Sequence, residues 1–243
     1  ADWSARLRRL PARTRRWLEA SGFKAKAQTH ALVPGDDGRL REVWAGVGDA
    51  ADPWLLASLP KALPAGRYHL HENPRDGGLV ADTGAAALSW ELGAYAFDLY
   101  KPARREPAQL SMPVTAASRR ALLQAAAITA TRDLVNTPAE HMGPAELAAA
   151  VRLAAEPHGA KVREVVADKL LAENFPAVHA VGRAAARAPR LVEMTWEPLS
   201  ARRQRARGAD LPRVAIVGKG VCFDSGGLDL KSADGMRLMK KDM

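Results

Sequence analysis

The run Val214-Ala215-Ile216-Val217 constrains this chain more than any other segment. It is apolar without alternation, and it stands between an Arg-rich polar stretch and Gly218. A strand that reads this way is expected to be buried on both faces, as in parallel sheets covered by helices on either side. The segments before it agree. Pro144 suits the first turn of a helix, and Leu147, Val151 and Ala154 form its apolar face. Lys161–Val166 reads as a strand, Asp168–Ala172 as a short helix, Leu191–Trp196 as a strand and Ser200–Asp210 as a polar loop. Strands alternating with helices predict an α/β domain with a mixed, largely parallel sheet.

The first half is organised differently. Residues 5–20 predict a basic helix, broken or started at Pro11. Thr29–Val33 and Arg39–Val47 are strand-like around the turn residues Gly35-Asp36-Asp37-Gly38. A helix is expected around Pro53–Lys61 and a short strand at Arg67–His71. Leu88, Leu92, Tyr95 and Leu99 recur on one helical face, in a helix that ends before Pro102. The Pro-containing stretch from Lys101 to Pro113 reads as an exposed connection. A helix over Ser118–Leu134 follows, with Ala121, Ala125 and Ile128 on one face, stopped by Asn136-Thr137-Pro138. The expected organisation is an N-terminal α/β domain over 1–112, a linking helix over 113–136 and a second α/β domain over 137–243.

Composition narrows the class. Hydrophobic residues make up 47% and charged residues 26% of 243 positions, which excludes an intrinsically disordered chain. No apolar stretch is long enough for a membrane-spanning helix, and no secretory apolar region opens the sequence. With a single cysteine, Cys222, no intramolecular disulfide can form, which fits a reducing compartment. The net charge of +9 raises a nucleic-acid partner as an alternative. Its densest cluster, Arg6 to Arg16, is flanked only by Trp3 and Trp17, a poor platform for stacking bases. A solvated basic face is the simpler reading.

Chemistry-bearing residues gather at the end of the chain. Ligand sites in open α/β sheets lie at the carboxyl ends of strands. Lys219 stands at such an end, between Gly218 and Gly220, which let backbone approach closely. Asp224 precedes Ser225-Gly226-Gly227, a turn sequence. Asp242 is placed near the end of a helix, with Met239 three residues earlier on the same face. A phosphate-binding loop is excluded, because Gly220 occupies the position after Lys219 that needs Ser or Thr. Taken singly, Asp224 reads as a turn carboxylate and Lys219 as a surface charge. His69 and His71 share a strand face but lack a third ligand. Cys222 reads as a small buried strand residue, and Trp44, Trp54 and Trp90 as core.

The string Val217-Gly-Lys-Gly-Val-Cys-Phe-Asp-Ser-Gly-Gly-Leu-Asp-Leu-Lys231, continued by Met239-Lys-Lys-Asp-Met243, resembles the metal-binding segment of the leucyl (cytosol) aminopeptidase family of two-metal exopeptidases. Arg132-Asp-Leu-Val-Asn-Thr-Pro-Ala139 resembles the helix end that opens that family's catalytic domain. Ala180-Val-Gly-Arg183 and Pro189-Arg-Leu191 are similar to its following strands. The resemblance implies a metal-dependent aminopeptidase that removes N-terminal residues from peptides. It implies Lys219, Asp224 and Asp242 as metal ligands, with Asp224 bridging two divalent ions, Mn or Zn. It implies Lys231 as the catalytic lysine that polarises the scissile carbonyl, and Met239 as a wall of the pocket for the substrate's first side chain.

Two dications close together stabilise attacking and leaving oxygens, and mixed oxygen and nitrogen donors suit Mn, Zn or Co. An amine binds a metal only when neutral, far from its ordinary pKa of about 10.4, and adjacent dications supply that push. Lys231 meets developing negative charge, and so needs its proton. The family completes its site with a later Asn-Thr-Asp-Ala-Glu-Gly-Arg segment, whose Arg holds a bicarbonate. No such segment occurs here, so 137–243 is expected to be the first part of a catalytic domain and inactive alone. The resemblance also implies a cytoplasmic enzyme that assembles as a hexamer, with no membrane partner. The alternative drawn from the same family is a DNA-binding protein using its basic surface.

Overall fold

Pro11 divides the basic N-terminal stretch into two helices, α1 (Trp3–Arg9) and α2 (Ala12–Ala20). Proline lacks the N–H a helix interior needs, but it tolerates the position just before a first turn. The computed structural model describes residues 3–48, 52–71, 82–103 and 105–243. Arg104, in the expected connection, lies outside the described residues. The chain divides into two units, Ala1–Thr131 and Arg132–Met243.

In the first unit, β1 (Thr29–Pro34) and β2 (Leu40–Gly46) form an antiparallel hairpin. Gly38 closes its turn at φ +76°, a left-handed conformation that glycine adopts without a side-chain clash. One face of the hairpin buries Ala31 and Val33 against Leu18 of α2 and Phe23. Some of the basic cluster serves this fold. Arg6 stacks over Trp44 at 5.3 Å, and Arg13 pairs with Asp36 and donates to Gly35 O.

A second cluster is built from α3 (Leu59–Ala62), β3 (Arg67–His69), α4 (Thr83–Ala94) and β4 (Gln109–Ser111). Leu55, Leu56, Leu59, Leu63, Ala86, Trp90 and Ala108 are its buried members. The expected helix at Pro53–Lys61 is turns followed by the short α3. Asp82 caps α4 by accepting from Gly84 N at 2.9 Å. The helix stops at Ala94, so Tyr95 and Leu99 do not continue its apolar face, and Leu99 is exposed. Of the expected face only Leu92 is fully buried, together with Ala86, Ala87, Ser89 and Trp90. Trp90 is core as expected and donates to Ala108 O, Trp44 is half-buried, and Trp54 is exposed. The stretch before Pro113 is not all connection, because β4 pairs in parallel with β3. A long helix, α5 (Ala116–Asn136), follows and buries Ser118, Ala121 and Ala125, but leaves Ile128 exposed.

The second unit contains α6 (Pro144–Ala155), β5 (Lys161–Val166), α7 (Lys169–Ala172), α8 (Pro176–Gly182), β6 (Arg190–Thr195), α9 (Leu199–Ala206) and α10 (Ala233–Arg237). Its core includes Met142, Ala148, Ala155, Val165 and Leu170. β5 and β6 pair antiparallel over their whole length. Glu164 is held between Arg190, at 2.8 Å, and Arg152. The architecture is mixed α/β with small sheets, the one parallel pairing among the described strands being β3–β4.

Three expectations for this unit fail. Residues 180–183, likened to a strand, end the helix α8 instead. Ser200–Asp210 is largely helical, because Glu197 anchors Arg205 at 2.9 Å and Arg202 beside it along α9. Val214–Val217 is not a buried strand. It is assigned to no strand, and Val214, Ile216 and Val217 are 87%, 93% and 94% exposed. A strand exists only through its neighbours' hydrogen bonds, and no described strand pairs with this run.

Candidate active site

The site is assembled by a tight hairpin and a short helical segment. The Asp224 carboxylate accepts Gly226 N at 2.7 Å through Oδ1, which bends the chain back. Gly226 sits at φ +115°, where a Cβ would strike Asp229 O, so only glycine fits. Lys231 N donates to Ser225 O at 2.9 Å, and Gly226 and Leu230 form an antiparallel bridge. The turn thus folds Lys231 onto Asp224, and its Nζ donates to Asp224 Oδ2 at 2.8 Å. Ser232 caps α10 by accepting from Gly235 N, and a 3-10 turn over Met239–Asp242 follows.

That turn returns to the same place. Met239 is buried, and its Sδ accepts Asp224 N at 3.1 Å. Asp242, three residues on, faces Lys219 with Nζ to Oδ2 at 3.5 Å. All five residues singled out from the sequence therefore meet, in two lysine–carboxylate pairs joined through Met239. The Lys231 hydrogen bond and the Gly226 N–H hold the Asp224 carboxyl below its usual range, with a smaller contribution from Lys219. Asp242 lies on a 3-10 turn rather than on an α-helix.

Cys222 is buried as expected, in an extended segment rather than a strand, and burial raises its thiol. His69 and His71 are exposed. The sequence reading missed Glu146 and Arg187, which brace the turn before α6. Glu146 Oε2 accepts Gly143 N at 2.9 Å. The signal was Gly143-Pro144-Ala145-Glu146, an acid three residues after a helix start.

As a cation site the donor set fits in kind. Asp224 and Asp242 offer hard oxygens, and the Lys219 amine beside Asp242 offers a nitrogen when neutral. Among the described residues no group of three or more His, Cys, Asp or Glu side chains gathers as a metal cluster.

Comparison with known proteins places this arrangement. The catalytic domain of the cytosol aminopeptidase family matches residues 129–243, and the M17 aminopeptidase N-terminal domain matches residues 1–113. The chain belongs to the cytosol aminopeptidase family. A probable cytosol aminopeptidase of Rhodococcus jostii is 37% identical over 180 residues, 68% of this chain and 34% of that protein. The crystal structure of a cytosol aminopeptidase from Coxiella burnetii is 41% identical, with a TM-score of 0.85, over 100% of this chain and 50% of that one. The bottromycin maturation enzyme BotP, solved in complex with Mn, is 30% identical with a TM-score of 0.76, over 95% of this chain and 50% of that one. The chain thus spans about a third of the length of several curated cytosol aminopeptidases it matches and about half of these solved proteins.

Proposed function

We propose that this chain supplies part of the catalytic centre of a metal-dependent aminopeptidase acting on the N-termini of peptides. The observation that carries the reading is the convergence of Lys219, Asp224, Lys231, Met239 and Asp242 through the hairpin at Gly226. Family membership and the Mn complex of BotP support a divalent metal, Mn or Zn, and a two-metal mechanism. Asp224, Asp242 and neutral Lys219 would hold it, with Asp224 as the bridging ligand. Bound there, the metal would supply Lewis acidity to the scissile carbonyl.

The chain's own residues do the rest. Lys231 keeps its proton and presents Nζ to the carbonyl oxygen as negative charge develops. The hairpin keeps that ammonium beside Asp224 before substrate arrives, and the ammonium exchanges this carboxylate contact for the carbonyl oxygen. Met239 offers an apolar surface to the substrate's first side chain. The names of the relatives support a cytoplasmic location. Bicarbonate as a base and assembly as a hexamer extend the same reading. The DNA-binding alternative draws no support from the comparisons.

The test is Asp224→Ala in the full-length protein. The variant is expected to lose hydrolysis of aminoacyl amides and to bind less metal, because one carboxylate would serve both ions. Unchanged turnover with two metals bound would overturn the assignment.

A further inference from the structure

The segment that carries Lys219 and Asp224 has no strand partner among the described residues. It rests on the start of α6. A Cβ on Gly220 would come within 3.2 Å of Leu147 Cδ2, so that backbone lies directly on the helix. Cys222 is buried within electrostatic reach of Glu146 and Arg187. The site's backbone therefore stands against the start of α6, next to the turn from Ala139 to Glu146.

That turn is tied down from elsewhere. Arg187, in the loop between α8 and β6, donates through Nη1 to Ala139 O at 3.3 Å and through Nη2 to Glu140 O. Its Nη1 also lies 3.7 Å from Glu146 Oε2. A Cβ on Gly143 would fall 2.5 Å from Arg187 Nη1 and 2.7 Å from its Cδ. Gly143 has φ −104°, so its backbone does not demand glycine; a side chain there would have to displace Arg187. A Ser or Thr there would cap α6 better. With glycine there, Arg187 keeps its place against the turn.

We propose that Arg187 is a positioning residue for the peptidase reaction. It locks the Ala139–Glu146 turn beside Gly220–Cys222, and thereby fixes where Lys219 and Asp224 stand. The proposal rests on the aminopeptidase reading. Arg187 acts through backbone, so its loss displaces ligands without removing any. A displacement near 1 Å costs roughly a hundredfold in rate, and loss of an outer support weakens metal binding by about 10–100-fold.

The experiment compares Arg187→Met, Arg187→Lys and the surface control Arg183→Met in the full-length protein. It measures kcat, KM, Mn²⁺ affinity of the metal-stripped protein by calorimetry, and melting temperature. Arg187→Met is expected to lower kcat by about a hundredfold and Mn²⁺ affinity by at least about tenfold, with KM nearly unchanged. Arg187→Lys should recover part of both, since an ammonium can reach one of the two carbonyls, and Arg183→Met should resemble wild type. Should Arg187→Met fail to fold, Glu146→Gln keeps the Gly143 contact and removes only the ion pair, and a smaller loss of Mn²⁺ affinity at unchanged KM is expected. A folded Arg187→Met with wild-type kcat and Mn²⁺ affinity overturns the positioning role. So does a loss that Arg187→Lys does not relieve while KM rises in proportion. A wild type that neither binds Mn²⁺ nor hydrolyses peptides overturns the aminopeptidase reading, and the proposal with it.

Discussion

Lys219 and Lys231 reach their carboxylates by different routes. Lys231 is brought to Asp224 by a local turn, and Lys219 meets Asp242 only after α10 and the 3-10 turn have formed. In the proposed mechanism they also need opposite protonation states, since only a neutral amine is a ligand and only an ammonium stabilises an oxyanion. Lys231→Ala is expected to lower kcat by about 10²–10³, with far less effect on metal content. Steady-state kinetics and metal analysis on the same sample check this. A drop below about threefold would give Lys231 a role outside the transition state.

Two elements make the site: the hairpin around Gly226 and the start of α6. Gly226→Ala forces a side chain into a left-handed conformation and against Asp229 O. Strain of this kind costs about 1–3 kcal/mol, and opening the hairpin separates Lys231 from Asp224. Lower activity and a lower melting temperature are expected together, and a variant unchanged in both would show that the turn tolerates a side chain. At α6, hydrogen bonds from backbone N–H groups, that of Gly143 among them, hold the Glu146 carboxyl below its usual range, helped by Arg187 and Arg190. With the folded pKa depressed, Glu146 contributes in full above the ordinary Glu value, and the contribution is lost as pH falls through the depressed value. The stability difference between wild type and Glu146→Gln should therefore be largest near neutral pH and vanish in acid. Thermal melts across pH 7 to about 3 measure it, and a difference that grew in acid would contradict the sign.

At the scale of the whole molecule, the consequential feature is Val214–Val217, with Ile216 93% exposed. An exposed apolar segment without a strand partner invites association. A polypeptide of these 243 residues is expected to self-associate, and Ile216→Lys to reduce that association. Light scattering after size exclusion reads the effect. A monodisperse monomer would mean that the run finds cover the structure does not show. No helix among the described residues is long and apolar enough to cross a membrane.

The sequence by itself determined the mixed α/β class, the broken basic helix and the hairpin at Gly35–Gly38, while the five proposed site residues came from the family resemblance of its last thirty residues. The first three rest on local rules: the alternation of elements, proline geometry and turn chemistry. Tertiary structure decided the rest. Where α4 ends, which of its faces is buried and whether Val214–Val217 is a strand all depend on what packs against them, and periodicity carries no record of the neighbour. The same is true of Arg187. Its place beside the site follows from the β5–β6 pairing and the loop before β6, which bring a residue more than forty positions away to Gly143. Nothing in the local sequence of either segment encodes that meeting.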